Sequence, residues 1–324
     1  MKKILITGGS GFIGTNLLEK FVSDGFEVLN IDFKKPKKID HIRYWKNIDI
    51  TDFIPLQKIV SSFEPNYVIH LAARTDIEGE SIDDYKANTI GVKNVMDVAK
   101  EIDSLEKIII TSSMLVCNVN HHPKDQFDYS PTTIYGESKV QTEKNVWASS
   151  ILCDWAIIRP TSIWGPWFGV PYRNFFDMVL AKKYFHIGNR GCTKTYGYIG
   201  NAIYQIEKIL FTETKEKLNK VFYIGDYEPI NIEDWANEIA LESGISIKKA
   251  PYFFIKIIAI VGDVLKAWRI HFPMNSFRLN NMTTSNEIDL SATKKVAPKL
   301  PFSRLESVKA TLNWIKFISK TKTL

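Results

Sequence analysis

Three glycines at a spacing of three, Gly8, Gly11 and Gly14, follow an apolar run, Ile4-Leu5-Ile6-Thr7, and open a helical pattern. This strand–glycine–helix order constrains the fold more than any other feature. Gly8 permits a tight turn out of the strand. Gly11 lets backbone approach a pyrophosphate with no Cβ between them. Gly14 lets the helix pack closely on the sheet. The first N–H groups of the helix, with Phe12 and Ile13 beside them, face the same point, where the helix dipole favours negative charge. The expectation is a dinucleotide site.

The following rhythm agrees. Val28–Asp32, Tyr67–Leu71, Lys107–Thr111 and Asp154–Arg159 read as strands, and 16–23, 53–63, 85–101 and 136–149 as helices. Lys107-Ile108-Ile109-Ile110-Thr111 is apolar enough for a strand covered on both faces. The βαβα order predicts a doubly wound parallel sheet of Rossmann type with right-handed crossovers. After Pro160 the texture becomes turn-rich and aromatic, while Val221–Gly225 again reads as a sheet strand. The expected division is a cofactor domain over 1–160 plus 198–226 and a smaller, discontinuous C-terminal substrate region over 161–197 plus 227–324.

Composition removes other classes. The 324 residues are 45% hydrophobic, sufficient for a sizeable core. The charge of +6 is spread without a long basic run interleaved with aromatics, so nucleic acid is not an expected partner. Cys117, Cys153 and Cys192 are odd in number and lack metal-ligand spacing. They predict reduced thiols, a cytoplasmic location and no metal. The first strand begins almost at Met1, so no leader is expected. Pro251–Trp268 is the longest apolar stretch, interrupted by Lys256, Asp263 and Lys266. A membrane span needs about 20 apolar residues with few charges. The stretch reads as a helix packed on the protein, with membrane-surface contact the lesser option.

Asp32 ends the second strand, where its carboxylate can accept from the adenosine ribose hydroxyls and repel a 2′-phosphate. NAD is therefore favoured over NADP, with Lys34 and Lys35 pulling the other way. Tyr135 and Lys139 lie four apart on one helix face. The ammonium stabilises a phenolate, making Tyr135 a usable base despite an ordinary pKa of about 10. Thr111 and Ser113 follow the Ile108–Ile110 strand, at the carboxyl edge where ligands of open sheets bind. His70 ends a strand near the cofactor rather than at the chemistry, and His121-His122 reads as surface loop.

These residues together resemble the extended short-chain dehydrogenase/reductase family, in its nucleotide-sugar epimerase/dehydratase branch. They are similar to UDP-sugar 4-epimerases. Thr7–Gly14 resembles the TGxxGFxG loop, and His70-Leu71-Ala72-Ala73 an HxAA segment beside the cofactor. Asn88 stands at a helix asparagine, and Asp49 with Ile50 at the aspartate segment that contacts adenine. Ser113, Tyr135 and Lys139 fall on the catalytic triad. Arg159–Pro166 resembles the R-[PY]-x-N-V-Y-G-P segment, and Ile187–Gly191 the loop before a diphosphate-binding arginine. The resemblance implies cofactor contacts at Leu71, Ala72, Ala73, Asn88, Thr111 and Pro160. It implies substrate contacts at Ser113, Ser162, Arg190 and Lys194, and a homodimer through helices near Asn88–Lys100 and Tyr135–Ser149.

The departures are on the sugar-nucleotide side. Ser162 replaces an asparagine, and Lys194 replaces the arginine without its bidentate fork. Met114-Leu115 stand where dehydratases carry Asp-Glu and decarboxylases Glu. Neither can move a proton, so elimination and decarboxylation are disfavoured. The leading expectation is an NAD-dependent nucleotide-sugar 4-epimerase working through a transient 4-keto sugar. The alternatives are a reductase of a 4-keto nucleotide sugar, a hydroxysteroid- or ketone-type dehydrogenase and, from another class, a non-catalytic dinucleotide sensor.

Overall fold

The computed structural model describes residues 1–119, 121–188, 191–212, 221–268, 270, 272 and 274–321. In chain order the first elements are β1 (Lys3–Thr7), α1 (Phe12–Ser23), β2 (Glu27–Ile31), β3 (Trp45–Lys46) and α2 (Phe53–Phe63). They are followed by β4 (Tyr67–His70), α3 (Val92–Ala99), β5 (Lys107–Thr111), α4 (Ile134–Trp147) and β6 (Asp154–Pro160). Then come β7 (Ser162–Trp164), α5 (Arg173–Leu180), β8 (Phe185–Ile187), β9 (Thr193–Lys194), β10 (Tyr196–Tyr198), α6 (Ile199–Phe211) and β11 (Val221–Ile224). The last are β12 (Ile230–Asn231), α7 (Ile232–Glu242), β13 (Lys248–Ala250), α8 (Tyr252–Ala267), α9 (Ser276–Thr283), α10 (Ser291–Val296) and α11 (Arg304–Thr321).

Seven strands form one sheet in the order β11-β6-β5-β4-β1-β2-β3, parallel throughout. This is the doubly wound α/β architecture the glycine loop implied. Its β-branched runs are buried on both faces, as at Ile108, Ile109 and Ile110. On one face Leu5, Val68, Ile108 and Ile110 pack with Leu56, Val60, Val92 and Val95 of α2 and α3. Register matters for function. Thr7 lies beside Ile31 and His70, and Thr111 beside Ile158. Asp32, Leu71, Ser112 and Thr161 therefore leave the sheet on the same carboxyl edge.

The spacing over Tyr85–Glu101 predicted one helix. The chain instead makes a 3-10 turn (Ile82–Tyr85), a π turn (Ala87–Gly91) and then α3. The wide turn carries Asn88 inward to hydrogen-bond partners on two other elements.

Two compact units result. The first comprises Met1–Ile163, Ile199–Gly225 and Asp289–Pro301. The second comprises Trp164–Tyr198, Asp226–Ile288 and Phe302–Leu324. The segment 289–301 was expected on the substrate side, but belongs to the first unit. There α10 packs on α6 and β11, and Thr293 Oγ1 donates to Tyr223 O at 2.6 Å. The second unit has an aromatic core in which Trp235 stacks on Phe175, ring centroids 4.6 Å apart, and meets Trp164 at 5.0 Å. Among the described residues no helix is long and apolar enough to cross a membrane.

Candidate active site

The glycine loop is shaped by close approach. Gly8 has φ +73°, and a Cβ there would fall 2.6 Å from Ala72 N. A Cβ on Gly14 would fall 2.4 Å from Gly8 O. The exit of β4 is tied to the exit of β1 in three places. Leu71 N donates to Thr7 O at 3.0 Å, Ala72 N to Thr7 Oγ1 at 3.3 Å, and Thr7 Oγ1 lies 2.7 Å from His70 Nδ1. Burial, with Lys139 nearby, pushes His70 down to about 3, so its ring is neutral at physiological pH.

Helix α1 follows Gly11, a residue with no side chain to cap it, and the positive end of its dipole suits an anion there. Phe12 and Ile13 open that helix and are half-buried. Asp32 Oδ2 accepts from Ser10 N at 3.1 Å and Oδ1 from Lys34 N at 2.8 Å. Burial raises the Asp32 pKa, while those two backbone donors oppose the rise. Each oxygen keeps a lone pair for a ribose hydroxyl. Thr111 Oγ1 is buried without a hydrogen-bond partner. An uncapped helix start, a cradle that a Cβ would fill and a strand-end carboxylate fit NAD. Ala73 and Pro160 lie half-buried on the same edge.

Two expected cofactor contacts have protein partners in this structure. Ile50 is a core side chain, and its carbonyl accepts from Asn94 Nδ2 at 3.0 Å. Asn88 is buried with both Nδ2 hydrogens in use: Nδ2 donates to Arg74 O and Ser138 Oγ, and Oδ1 accepts from Arg74 N. It ties the Leu71–Arg74 segment to α4. Asp49 is exposed, its Oδ1 accepting from Thr51.

The catalytic candidates are brought together by α4. Thr133 caps the helix, Oγ1 accepting from Gly136 N at 3.0 Å. Gly136 is required for a contact: a Cβ there would fall 2.4 Å from Leu115 O. The first turn of α4, carrying Tyr135, thus lies directly on the turn after β5, carrying Ser113. Ser113 Oγ accepts from Leu115 N at 3.1 Å, which leaves its own hydrogen to donate. One turn further, buried Lys139 donates to Thr111 O at 2.9 Å. Burial drives Lys139 down to about 8, and the Glu143 charge pulls it back up.

Glu143 was missed at the sequence level. It is fully buried one turn beyond Lys139. It receives Arg159 Nε at 2.8 Å, an Arg159 terminal nitrogen at 2.7 Å, Ser112 Oγ at 2.5 Å and Tyr129 OH at 2.9 Å. Burial opposes the Arg159 charge, but Glu143 outweighs it and raises that pKa. The available signal was the spacing of Tyr135, Lys139 and Glu143 at four and four, a polar stripe on a helix that must pack inward. On the proposed substrate side, Ser162 is buried on β7. Lys194 is half-buried on β9, its pKa lowered by burial and pulled back by Cys192. Arg190 lies outside the described residues.

The profile of the NAD dependent epimerase/dehydratase family matches residues 4–194, which hold every one of these groups. The chain belongs to this family. Its members are enzymes of the extended short-chain dehydrogenase/reductase type that use NAD. The chain is 25% identical over 325 residues to the N-acetyl-alpha-D-glucosaminyl-diphospho-ditrans,octacis-undecaprenol 4-epimerase of Escherichia coli O157:H7, covering 96% of this chain and 94% of that one. It is 25% identical over 297 residues to a 3-beta-hydroxysteroid dehydrogenase of Mycolicibacterium neoaurum, covering 83% and 77%. Its fold matches the Bacillus cereus UDP-glucuronic acid 4-epimerase solved with UDP-glucuronic acid and NAD, with TM-score 0.75 and 21% identity over 98% of this chain and 99% of that one. Met114 and Leu115 open a short 3-10 turn after Ser113, and neither side chain can give or take a proton.

Proposed function

We propose that this family member is an NAD-dependent 4-epimerase of a nucleotide sugar. One observation carries the reading: Tyr135 and Lys139 share a face of α4 that Gly136 seats on the Ser113 turn, where Met114 and Leu115 offer neither acid nor base. The residues that would hold NAD are Gly8, Gly11 and Gly14 at the pyrophosphate, Asp32 at the adenosine ribose and Lys139 with Thr111 at the nicotinamide end. NAD, when bound, supplies a hydride acceptor that returns its hydride to the opposite face of the same carbon.

Tyr135 as phenolate takes the proton of the sugar 4-hydroxyl. Lys139 holds that phenolate by charge and is itself held by Thr111 O. Ser113 donates to the C4 oxygen, its other side fixed by Leu115 N. The 4-keto sugar turns, and Tyr135 gives the proton back to the new hydroxyl. Ser162 and Lys194 are proposed substrate contacts, Arg190 with them, and a homodimer through α3 and α4 is proposed from the family.

A second reading concerns the carrier. Lys194 gives a diphosphate a point charge rather than a fork, and a relative matched over 96% of this chain acts on a sugar carried by diphospho-undecaprenol. A polyprenyl diphosphate is therefore the alternative to a nucleotide. The test is mass-balanced product analysis on both carriers, with absorbance of reduced cofactor followed in parallel. Interconversion of C4 epimers without net reduction supports the reading. Stoichiometric reduced cofactor, or turnover only of steroids and simple ketones, would sink it.

A further inference from the structure

Helix α8 is apolar nearly all round, yet only a narrow stripe of it is covered. Ile255 and Ala259 pack with Ile187 and Leu279, and Gly262 lies so close to the chain that a Cβ would fall 1.7 Å from Met274 O. The opposite side carries Phe253, Ile257, Ile260, Val261, Val264 and, just past the helix end, Trp268. These are 44–77% exposed. At 3.6 residues per turn they fall within an arc of roughly 100°. Phe254 and Ile258 widen it on one side, and Lys256 and Asp263 bound it on the other. A face this apolar and continuous marks an interaction surface.

The neighbouring charges say what kind. Strand β13 leads into α8 and pairs with β8 in the register Lys248–Phe185 and Lys249–His186. Lys182 and Lys183 lie just before β8. All four lysines are exposed. The four lysines give the start of α8 a local positive charge, and a second copy presents the same charge there rather than its complement. Anionic headgroups complement them instead. At 16 residues α8 is about 24 Å long, short of a hydrocarbon layer of about 30 Å. Its aromatic residues sit at its two ends, Phe253 and Phe254 at one and Trp268 at the other, as suits a helix lying in the interface.

We propose that α8 is a membrane-docking face. It lies in the headgroup plane of an anionic bilayer, with its apolar arc turned inward and Lys182, Lys183, Lys248 and Lys249 on the lipid phosphates. The surface lies wholly within the second unit, so the inference does not depend on the reaction assigned above.

Sedimentation of the full chain with phosphatidylcholine vesicles, with and without phosphatidylglycerol, tests it. The chain is expected to pellet with the mixed vesicles and far less with phosphatidylcholine alone. The exposed double substitution Ile257→Glu with Val264→Glu is expected to cut partitioning about tenfold or more. Lys248→Glu with Lys249→Glu is expected to remove the preference for phosphatidylglycerol. NAD binding serves as the check that each variant folds. A parent chain that stays in the supernatant overturns the proposal, as does a double variant that pellets like the parent. A concentration-dependent dimer broken by the double variant, without vesicle binding, assigns the face to a second copy and also overturns it. Vesicle binding is read without substrate, so its failure is distinguishable from failure of the epimerase reading.

Discussion

Lys139 is where one side chain links stability, charge and chemistry. It is buried beside Thr111 O and pushed down to about 8. Below about 8 the folded chain carries a buried ammonium at a cost. Between about 8 and the ordinary lysine value the unfolded chain holds the proton and the folded chain has shed it. This group's contribution to stability therefore rises with pH across that window. Activity should move the opposite way, because loss of the ammonium removes the charge that supports the Tyr135 phenolate. We expect kcat/KM to fall on an alkaline limb near 8, and Lys139→Arg to move that limb to higher pH. A profile flat from 7 to 10 would refute the role. Tyr135→Phe should lower turnover by at least about a hundredfold with NAD affinity little changed, measured by titration beside steady-state kinetics. Asp32→Ala should weaken NAD and narrow the preference over NADP, because the residue that repels a 2′-phosphate is gone. An unchanged ratio of the two affinities would remove Asp32 from the ribose site.

Among the elements, α4 organises the site, and a glycine sets its depth. Gly136→Ala places a methyl group 2.4 Å from Leu115 O, a backbone atom that cannot move alone. The substitution should cost about 1–3 kcal/mol in denaturant unfolding. It should lower kcat more than stability alone explains, because Tyr135 and the Ser113 turn separate together; full activity would show that the close approach is dispensable. The motif Tyr135-x-x-x-Lys139 was legible because helical spacing alone puts the two on one face. The depth of α4 against the β5 exit was not legible, since Gly136 and Leu115 are neighbours only in space. The π turn at Ala87–Gly91 was illegible for a related reason. Local spacing there fits a regular helix, and the inward turn of Asn88 is decided by Arg74 and Ser138.

At the scale of the molecule, the Glu143–Arg159 pair joins α4, β6 and the loop at Gln126 behind the proposed catalytic residues. Removing one partner of a buried pair leaves the other uncompensated. Glu143→Gln should therefore cost about 3–5 kcal/mol by denaturant titration, and a loss under 1 kcal/mol would show that Arg159 finds another partner. NAD at a hundredfold over its Kd should stabilise the chain by about 2.7 kcal/mol, seen as a higher melting temperature, and Tyr135→Phe should keep that gain. Local sequence determined the alternation of elements and the glycine loop, and it singled out Asp32 and the Ser113–Tyr135–Lys139 set as candidates, because each rests on short-range spacing or on a strand end. Only the tertiary structure decided that Ile50 faces the core and that Asn88 serves the scaffold. It also decided that Glu143 is the buried counter-charge, that 289–301 joins the first unit and that most of α8 stays uncovered. Those outcomes depend on which distant residues fill the space beside each side chain, and periodicity along the chain carries no record of that.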